Sequence, residues 1–299
     1  MARTIEYRIP AAFDGEKLIR FLRGSLAFSA RAVTRLRHTP GALKLNGAPV
    51  RTVDPVHTDD LLTVTLPEEN CEMSQSAADA LDIVYEDADV LVLNKSGNLA
   101  LHPTHNHQGD TLANQVAAYF AAKGAGVPVF RAVGRLDKYT SGLVLCALNK
   151  VSAAKLSGNY EKQYLAVVGG SLSGSGTIDA PICRPDPNKT LRAVGSPGER
   201  AVTHWEALIT TPEMTLVRVK LETGRTHQIR VHFAHLGMPL AGDTMYGGND
   251  ALIPRAALHC ERLTFLHPIH AEPLSFCVPP PPDMQAVLDV LKNAPGRSQ

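Results

Sequence analysis

The chain has 299 residues, 44% of them hydrophobic and 20% charged, with a formal net charge of +1; such a composition allows a sizeable core without disulfides and excludes a lone small module or general disorder. No apolar run approaches the roughly 18–20 residues of a membrane-spanning helix, and the stretch from Met1 to Arg8 lacks the apolar core of a signal peptide, so the expectation is a cytoplasmic protein. The charge is unevenly placed: eight Lys or Arg lie between Gly15 and Arg51 against Glu16 alone, and eight acids with no Lys or Arg lie between Pro67 and Asp89, an asymmetry that lets one region bind phosphates while the whole stays near neutral.

Residues 10–66 read as a compact α/β module. Leu18, Phe21 and Leu22, at i, i+3 and i+4, predict a short helix. Ser29 is an N-cap for a second one, in which Val33 and Leu36 face inward while Arg31, Arg35 and His38 make the other face basic. Ala42 to Leu45 then enters Asn46-Gly47, a strong hairpin signal, and Leu61 to Leu66 alternates as a strand. This order of helix, helix, Leu-Lys-Leu-Asn-Gly and strand resembles the S4-type RNA-binding domain. The resemblance places an S4-like domain at 1–66, with Arg31 and Arg35 among its substrate-binding residues.

From 67 to 80 the sequence is acidic, rich in small residues and without apolar period, which predicts a linker. Residues 81–299 show no second break and read as one large domain. Val90 to Leu93 and Leu143 to Leu148 are continuous apolar runs suited to central strands covered on both faces. Residues 163–168 and 215–222 predict further strands, and 150–160, 227–236 and 283–292 predict helices. In 227–236, Ile229, Phe233 and Leu236 share a face and Gly237 stands at the C-terminal cap. Strands outnumber long helices, so the fold class is α+β, with a large, mostly antiparallel mixed sheet beside the small N-terminal α/β module.

Three segments could carry chemistry. Gly134-Arg135-Leu136-Asp137-Lys138-Tyr139-Thr140-Ser141-Gly142 is a loop that holds one carboxylate at a strand edge; taken alone, Asp137 is equally explained as capping its own turn through backbone N–H groups. Glu161 to Val168 opens a strand with the aromatic ring of Tyr164, placed to stack on a base if it lines a pocket. Leu221 to Arg230 reads as a strand turning through Gly224 into a helix capped by Thr226, with Arg230 in the first turns and long enough to reach a carboxylate in a neighbouring loop.

Arg-Leu-Asp-x-x-Thr-Ser-Gly at 135–142, Lys-x-Tyr-Leu-Ala at 162–166 and Thr-Gly-Arg-Thr-His-Gln-Ile-Arg-Val-His at 223–232 closely resemble, in that order, the RluA-type pseudouridine synthases. Leu93 to Gly97 with His102-Pro103, Gly242-Asp243-Thr244-Met245-Tyr246-Gly247, and Leu258-His259-Cys260 extend the likeness over about 80–285. The resemblance implies the pseudouridine synthase fold, a cofactor-free isomerase and structured RNA as partner, ribosomal RNA favoured over transfer RNA. It implies that Asp137 is the catalytic aspartate, Tyr164 the ring packed on the target base, Arg230 the ion-pair partner of Asp137, and Arg135 the residue filling the gap left in the RNA stack. Leu136 and Ile229 would exclude water, and Arg225 joins them among the substrate-binding residues. One departure stands out: the position before Arg135 is often His in the family and is Gly134 here. Asn94 and Ser96 also replace the usual Lys-Pro style of the first motif.

Isomerising uridine breaks C1′–N1 and joins C1′ to C5 with no redox step. An ionised carboxylate can attack C1′ or start an elimination at C2′, and the sequence leaves both open. The target base must also leave its stack, which favours loops and unpaired stretches.

Other readings compete. His102, His105 and His107, or His227, His232 and His235, could hold a metal, but neither set has the i, i+4 pairing of a helical zinc site. Cys71, Cys146, Cys183, Cys260 and Cys277 form no Cys-x-x-Cys pair and read as small buried apolar residues. A glycoside hydrolase needs a second carboxylate that no motif supplies, and a non-catalytic RNA-binding protein keeping the fold would have a degraded Arg-Leu-Asp motif, whereas 135–137 is intact. No metal or cofactor is expected, no membrane partner, and a monomer suffices.

Overall fold

The structure is a computed structural model describing residues 3–67, 81–104, 107–124 and 126–295. All of the expected 67–80 linker but Pro67, together with Cys71 and His105, lies outside these residues.

The N-terminal part contains β1 (Arg3–Arg8), α1 (Leu18–Gly24), α2 (Ala30–His38), β2 (Leu43–Leu45), β3 (Ala48–Pro49) and β4 (Leu61–Leu66), with the four strands ordered β1-β4-β2-β3. Leu18, Phe21 and Leu22 are buried as their spacing predicts, and Ser29 caps α2 by accepting a hydrogen bond from Ala32 N at 3.2 Å. Asn46 and Gly47 both have positive φ, 51° and 83°, which turns β2 into β3. Leu62, Val64 and Leu66 on β4 face the core. β1 precedes the expected start of the module at residue 10. It is an edge strand with only Ile5 buried, so its pattern carries little apolar signal.

The second part contains β5 (Ile83–Glu86), β6 (Val90–Lys95), α3 (Leu112–Ala122), β7 (Arg131–Val133), β8 (Ser141–Ala147), α4 (Lys150–Leu156), β9 (Tyr160–Gly169), β10 (Ser175–Asp179), β11 (Ile182–Cys183), β12 (Ala193–Val194), β13 (Val202–Thr210), β14 (Met214–Leu221), α5 (Gln228–His235), β15 (Leu258–Leu266), β16 (Pro273–Cys277) and α6 (Pro282–Asn293). Among the described residues the large sheet runs β10-β13-β14-β9-β15-β8-β6-β5, with β16 beside β15 and β7 beside β8. Every pair in it is antiparallel except β15 with β8, the mixed, mostly antiparallel sheet that the sequence predicts. Every residue of β8 is buried, as its unbroken apolar run requires.

Strand parity on β9 distributes the two faces. Tyr164, Ala166 and Val168 share a core with Leu112 and Val116 of α3 and with Ile229 and Phe233 of α5. Leu165 and Val167 pack instead with Met284, Val287 and Leu291 of α6. The face that receives α5 is therefore the face on which Tyr164 lies.

Several boundaries differ from expectation. The helix predicted over 150–160 stops at Leu156, because Gly158 takes φ 76° and Tyr160 already begins β9, three residues before the predicted strand start at 163. Leu236 is 44% exposed, so it does not share the buried face of Ile229 and Phe233; α5 ends at His235 and the chain turns away. Neither α3, capped by Thr111 and Asn114, nor β10, β13, β15 and β16 follow from any periodicity used above. Cys146 and Cys260 are buried, whereas Cys183 is half-buried and Cys277 is exposed on the outer strand β16.

The two parts meet at a buried carboxylate. Asp89, 2% exposed at its side chain, accepts hydrogen bonds from Arg3 Nη2 at 2.6 Å and Asn149 Nδ2 at 2.9 Å. Val151 belongs to the N-terminal core and Ile269 packs against it. Among the described residues no helix is long and apolar enough to cross a membrane.

Candidate active site

The loop between β7 and β8 carries Asp137. Its first residue, Gly134, has φ 70°, and a Cβ there would lie 2.3 Å from the Tyr160 hydroxyl, so the Tyr160 ring occupies the space a side chain would need. That explains the glycine where the resembling family often has His. At the other end Gly142, φ 105°, lets the β15 backbone approach: a Cβ there would meet Cys260 O at 2.3 Å. The parallel bridge of β8 with β15 at Gly142 and Cys260 depends on that approach.

The turn after Asp137 is closed by its backbone, Thr140 N donating to Asp137 O at 3.1 Å. Among the described residues the Asp137 carboxylate caps nothing; its one ion-pair contact is with Arg230, Nη1 to Oδ2 at 3.9 Å. Two buried basic side chains hold the next two carbonyls. Lys95 Nζ donates to Lys138 O at 3.1 Å and to Ser96 O at 2.8 Å, and Arg255 Nη1 donates to Tyr139 O at 3.1 Å. Arg255 is itself gripped by Asp283 at the start of α6, at 2.7 and 2.8 Å. Burial, followed by the nearby Arg255 charge, pushes the Lys95 ammonium down to about 7, against a smaller upward pull from Asp137.

Arg230 sits in the first turn of α5 with its side chain 4% exposed. Its nearest partner is not Asp137, as the resemblance implies, but Asp243, which accepts from Nε and Nη2, both at 2.7 Å. The reason is steric and electrostatic: Asp243 is 2% exposed, and a buried carboxylate needs a full bidentate partner. Asp137 receives the third nitrogen at longer range. The guanidinium carbon also lies 4.9 Å from the centre of the Tyr246 ring. Asp243 and Tyr246 stand in a motif noted in the sequence, but nothing local there marks them as partners of a residue in α5.

The start of α5 is set by Gln228, not by the expected cap Thr226. Gln228 Oε1 accepts from Thr223 Oγ1 at 2.9 Å and Arg225 N at 3.0 Å, while its Nε2 donates to Val202 O and Thr203 Oγ1. Thr226 Oγ1 instead accepts from Arg135 Nη1 at 3.2 Å, tying the Asp137 loop to this turn. His227 takes φ 58°, an uncommon backbone for a non-glycine residue, and its Nδ1 bonds the Tyr246 hydroxyl at 2.8 Å. Burial pushes the His227 ring down.

Tyr164 lies opposite Cys260 on β15 and is 6% exposed; burial pushes its phenol well above the ordinary range, which keeps it neutral. A cleft of about 540 Å³ opens over these groups, and Arg135, Leu136, Asp137, Tyr164, Arg225, Ile229 and Arg230 all line it. Leu136 and Ile229 are buried and supply apolar wall. Arg225 lines the cleft with its guanidinium committed to Glu199 and to Arg200 O. Arg31 and Arg35 are not in the cleft; they are exposed on α2.

Among the described residues neither histidine set converges. His232 bonds Thr203 Oγ1 and Ala180 O, His107 bonds Asp110, and His102 packs edge-on against Phe130. Among the described residues the one group close enough to share a cation is Asp87, Asp89 and His267. It lies where the two parts meet, and Arg3, Asn149, Tyr85 and backbone N–H groups already occupy its carboxylates.

Comparison with known proteins gives one consistent picture. The family model described as RNA pseudouridylate synthase matches residues 89–235. The chain is 39% identical over 272 residues to the Bacillus subtilis (strain 168) protein named uncharacterized RNA pseudouridine synthase YjbO, covering 89% of this chain and 96% of that protein. It is 37% identical over 273 residues to the ribosomal large subunit pseudouridine synthase D of Pseudomonas aeruginosa, covering 85% of each. Among solved structures, human RNA pseudouridylate synthase domain containing 1 superposes with a TM-score of 0.56 at 28% identity, covering 75% of this chain and 99% of that one.

Two expectations follow from the buried charges. Arg230→Ala or Asp243→Ala alone leaves a buried charge without its bidentate partner and costs about 3–5 kcal/mol, whereas Arg230→Ala with Asp243→Ala costs less than the sum of the two; urea unfolding of the wild type and the three variants gives the coupling energy. Lys95 favours its neutral form when folded, so the folded state binds fewer protons than the unfolded one between pH 7 and about 10.4. Stability relative to Lys95→Met is therefore expected to rise with pH across that window and to level off below 7. Parallel unfolding curves of the two proteins across the window would contradict it.

Proposed function

The chain belongs to the RNA pseudouridylate synthase family, and from that premise we propose Asp137 as the group that isomerises uridine within structured RNA. The protein is an RNA pseudouridine synthase. The observation that carries the assignment is a carboxylate facing a cleft without a hydrogen-bond partner among the described residues, 3.9 Å from a guanidinium locked in place by another acid. A carboxylate spent on capping its own loop would be unavailable; this one is not spent. A non-catalytic RNA-binding protein would have no use for such a group.

The reaction breaks C1′–N1, turns the uracil and joins C5 to C1′; the C5 proton leaves and N1 gains one. Attack on C1′ and removal of the C2′ proton both begin at the Asp137 carboxylate. Arg230 acts as a fixed positive charge that never gives up its proton, so its role is electrostatic. Tyr164, neutral and buried, offers a ring face to the uracil. Leu136 and Ile229 keep water from C1′, where hydrolysis would release the base. Arg135, which reaches from the Asp137 loop to Thr226, is read as the residue that enters the RNA stack where the target has left it, and Arg225 lines the same cleft.

The N-terminal module is read as S4-like, with Arg31 and Arg35 contacting phosphates. Ribosomal RNA is the proposed substrate, a reading supported by the relatives named ribosomal large subunit pseudouridine synthase D. Pseudouridine-free ribosomal and transfer RNA incubated with the protein and mapped chemically should show isomerisation in the ribosomal RNA. Asp137→Asn should reduce the single-turnover rate by about 10²–10⁴-fold or more, and turnover within a few-fold of wild type would sink the assignment. Arg31→Ala with Arg35→Ala should weaken binding and lower the salt slope by roughly 0.7–0.9 for each lost phosphate contact, at an unchanged rate on saturating RNA; an unchanged slope would remove α2 from the interface.

A further inference from the structure

A second groove, of about 620 Å³, adjoins the catalytic cleft and shares Gly224 and Arg225 with it. Its other wall is the hairpin β11–β12 and the residues that join the two strands. The hairpin is fastened to the catalytic framework at two points. Ile182 is buried with Ala201 and with Val231 of α5, and Val194 and Tyr246 pack on that cluster. Arg192 N also donates to the Tyr246 hydroxyl at 3.1 Å, the same hydroxyl that bonds His227. The groove is thus held at a set position relative to Asp137.

The charges in it are sorted. Arg225 is neutralised by Glu199, and nearby Arg200 by Glu222. Arg184 and Arg192 have no carboxylate partner among the described residues. Each is instead oriented by backbone carbonyls: Arg184 Nε donates to Lys189 O at 2.8 Å, and Arg192 Nη1 donates to Thr190 O at 2.8 Å and Leu191 O at 3.1 Å. Both guanidinium groups keep free N–H donors after these bonds. A side chain already oriented loses less entropy when it binds, and a guanidinium fork matches the oxygens of a phosphodiester.

A uridine drawn into the cleft remains joined to its neighbours through two phosphodiesters, and the strand must leave the cleft across its rim. We propose that the β11–β12 groove binds the RNA sugar–phosphate backbone next to the target nucleotide, through Arg184 and Arg192. This rests on the reading of the chain as an RNA pseudouridine synthase.

The test uses the full chain, with Arg184→Ala, Arg192→Ala and the double variant Arg184→Lys with Arg192→Lys, and an in-vitro-transcribed, pseudouridine-free ribosomal RNA as probe. Dissociation constants are measured from 50 to 200 mM salt and single-turnover rates at saturating RNA, with thermal melting as the check on folding. Each Ala variant is expected to bind several-fold more weakly, with a salt slope lower by roughly 0.7–0.9, and to react within about twofold of wild type once saturated. Arg184→Lys with Arg192→Lys should keep the wild-type slope, since the charge remains, while retaining only part of the affinity. An unchanged dissociation constant and slope in both Ala variants overturns the proposal, as does a loss of affinity that is independent of salt and not relieved by Lys. Binding is read separately from chemistry: a wild-type protein that forms no pseudouridine, with variants that still lose slope, would refute the enzymatic reading and leave the groove assignment standing.

Discussion

A guanidinium and a carboxylate removed from water together, Arg230 and Asp243, organise this molecule. Neither is tolerable alone in a low-dielectric interior, so each dictates where the other's element must go. The loop at 242–247 is thereby drawn against the first turn of α5, with Tyr246 under the guanidinium. Tyr246 in turn reaches His227 and the backbone of Arg192. Once Asp243 has taken two of the guanidinium's nitrogens, the third is left facing Asp137. The carboxylate proposed to react faces a cation whose direction is decided by a different acid, which leaves Asp137 without a hydrogen bond among the described residues.

The opposite side of the site is built on the same economy of buried charge. Lys95 and Arg255 spend their donors on carbonyls of the Asp137 loop instead of on its carboxylate. A loop on a protein surface is ordinarily the mobile part of a fold; here its carbonyls answer two buried basic side chains, one of them anchored to α6 through Asp283. Strand parity on β9 completes the arrangement, because the face that carries Tyr164 is also the face that receives Ile229. The cleft has a neutral aromatic ring on one side, a fixed positive charge on another and apolar wall between, which suits a reaction that must hold a detached base and keep water out.

Positive charge is distributed rather than concentrated. α2 presents an exposed basic face in the N-terminal module, which is docked on the large sheet through Arg3 and the buried Asp89. The rim beside the cleft contributes Arg184 and Arg192, while its other arginines are matched by Glu199 and Glu222. A net charge of +1 is compatible with polyanion binding because acids and bases are segregated along the chain and paired selectively on the surface.

Much of this was legible without coordinates. The apolar run 143–148 could only be a strand covered on both faces, Ser29 and the Leu18, Phe21, Leu22 spacing marked two helices, and Asn46-Gly47 marked a turn, since each depends on neighbours within a few residues. The ordered motifs also singled out Asp137, Tyr164 and Arg230, residues from three segments that converge on one cleft. What the chain order could not convey is which charges share a space. Asp243 lies thirteen positions beyond Arg230 in a separate loop, and Lys95 reaches the Asp137 loop only because β6 and β8 are neighbours in the sheet. Periodicity reports the face a residue turns to the core, a local property of the backbone; pairing of buried charges is set by desolvation, which exists only after distant segments have closed around them. The sequence by itself therefore determined the elements with a local apolar or capping signal and the candidate residues of the cleft, and the tertiary structure decided that Arg230 answers first to Asp243 and only then to Asp137.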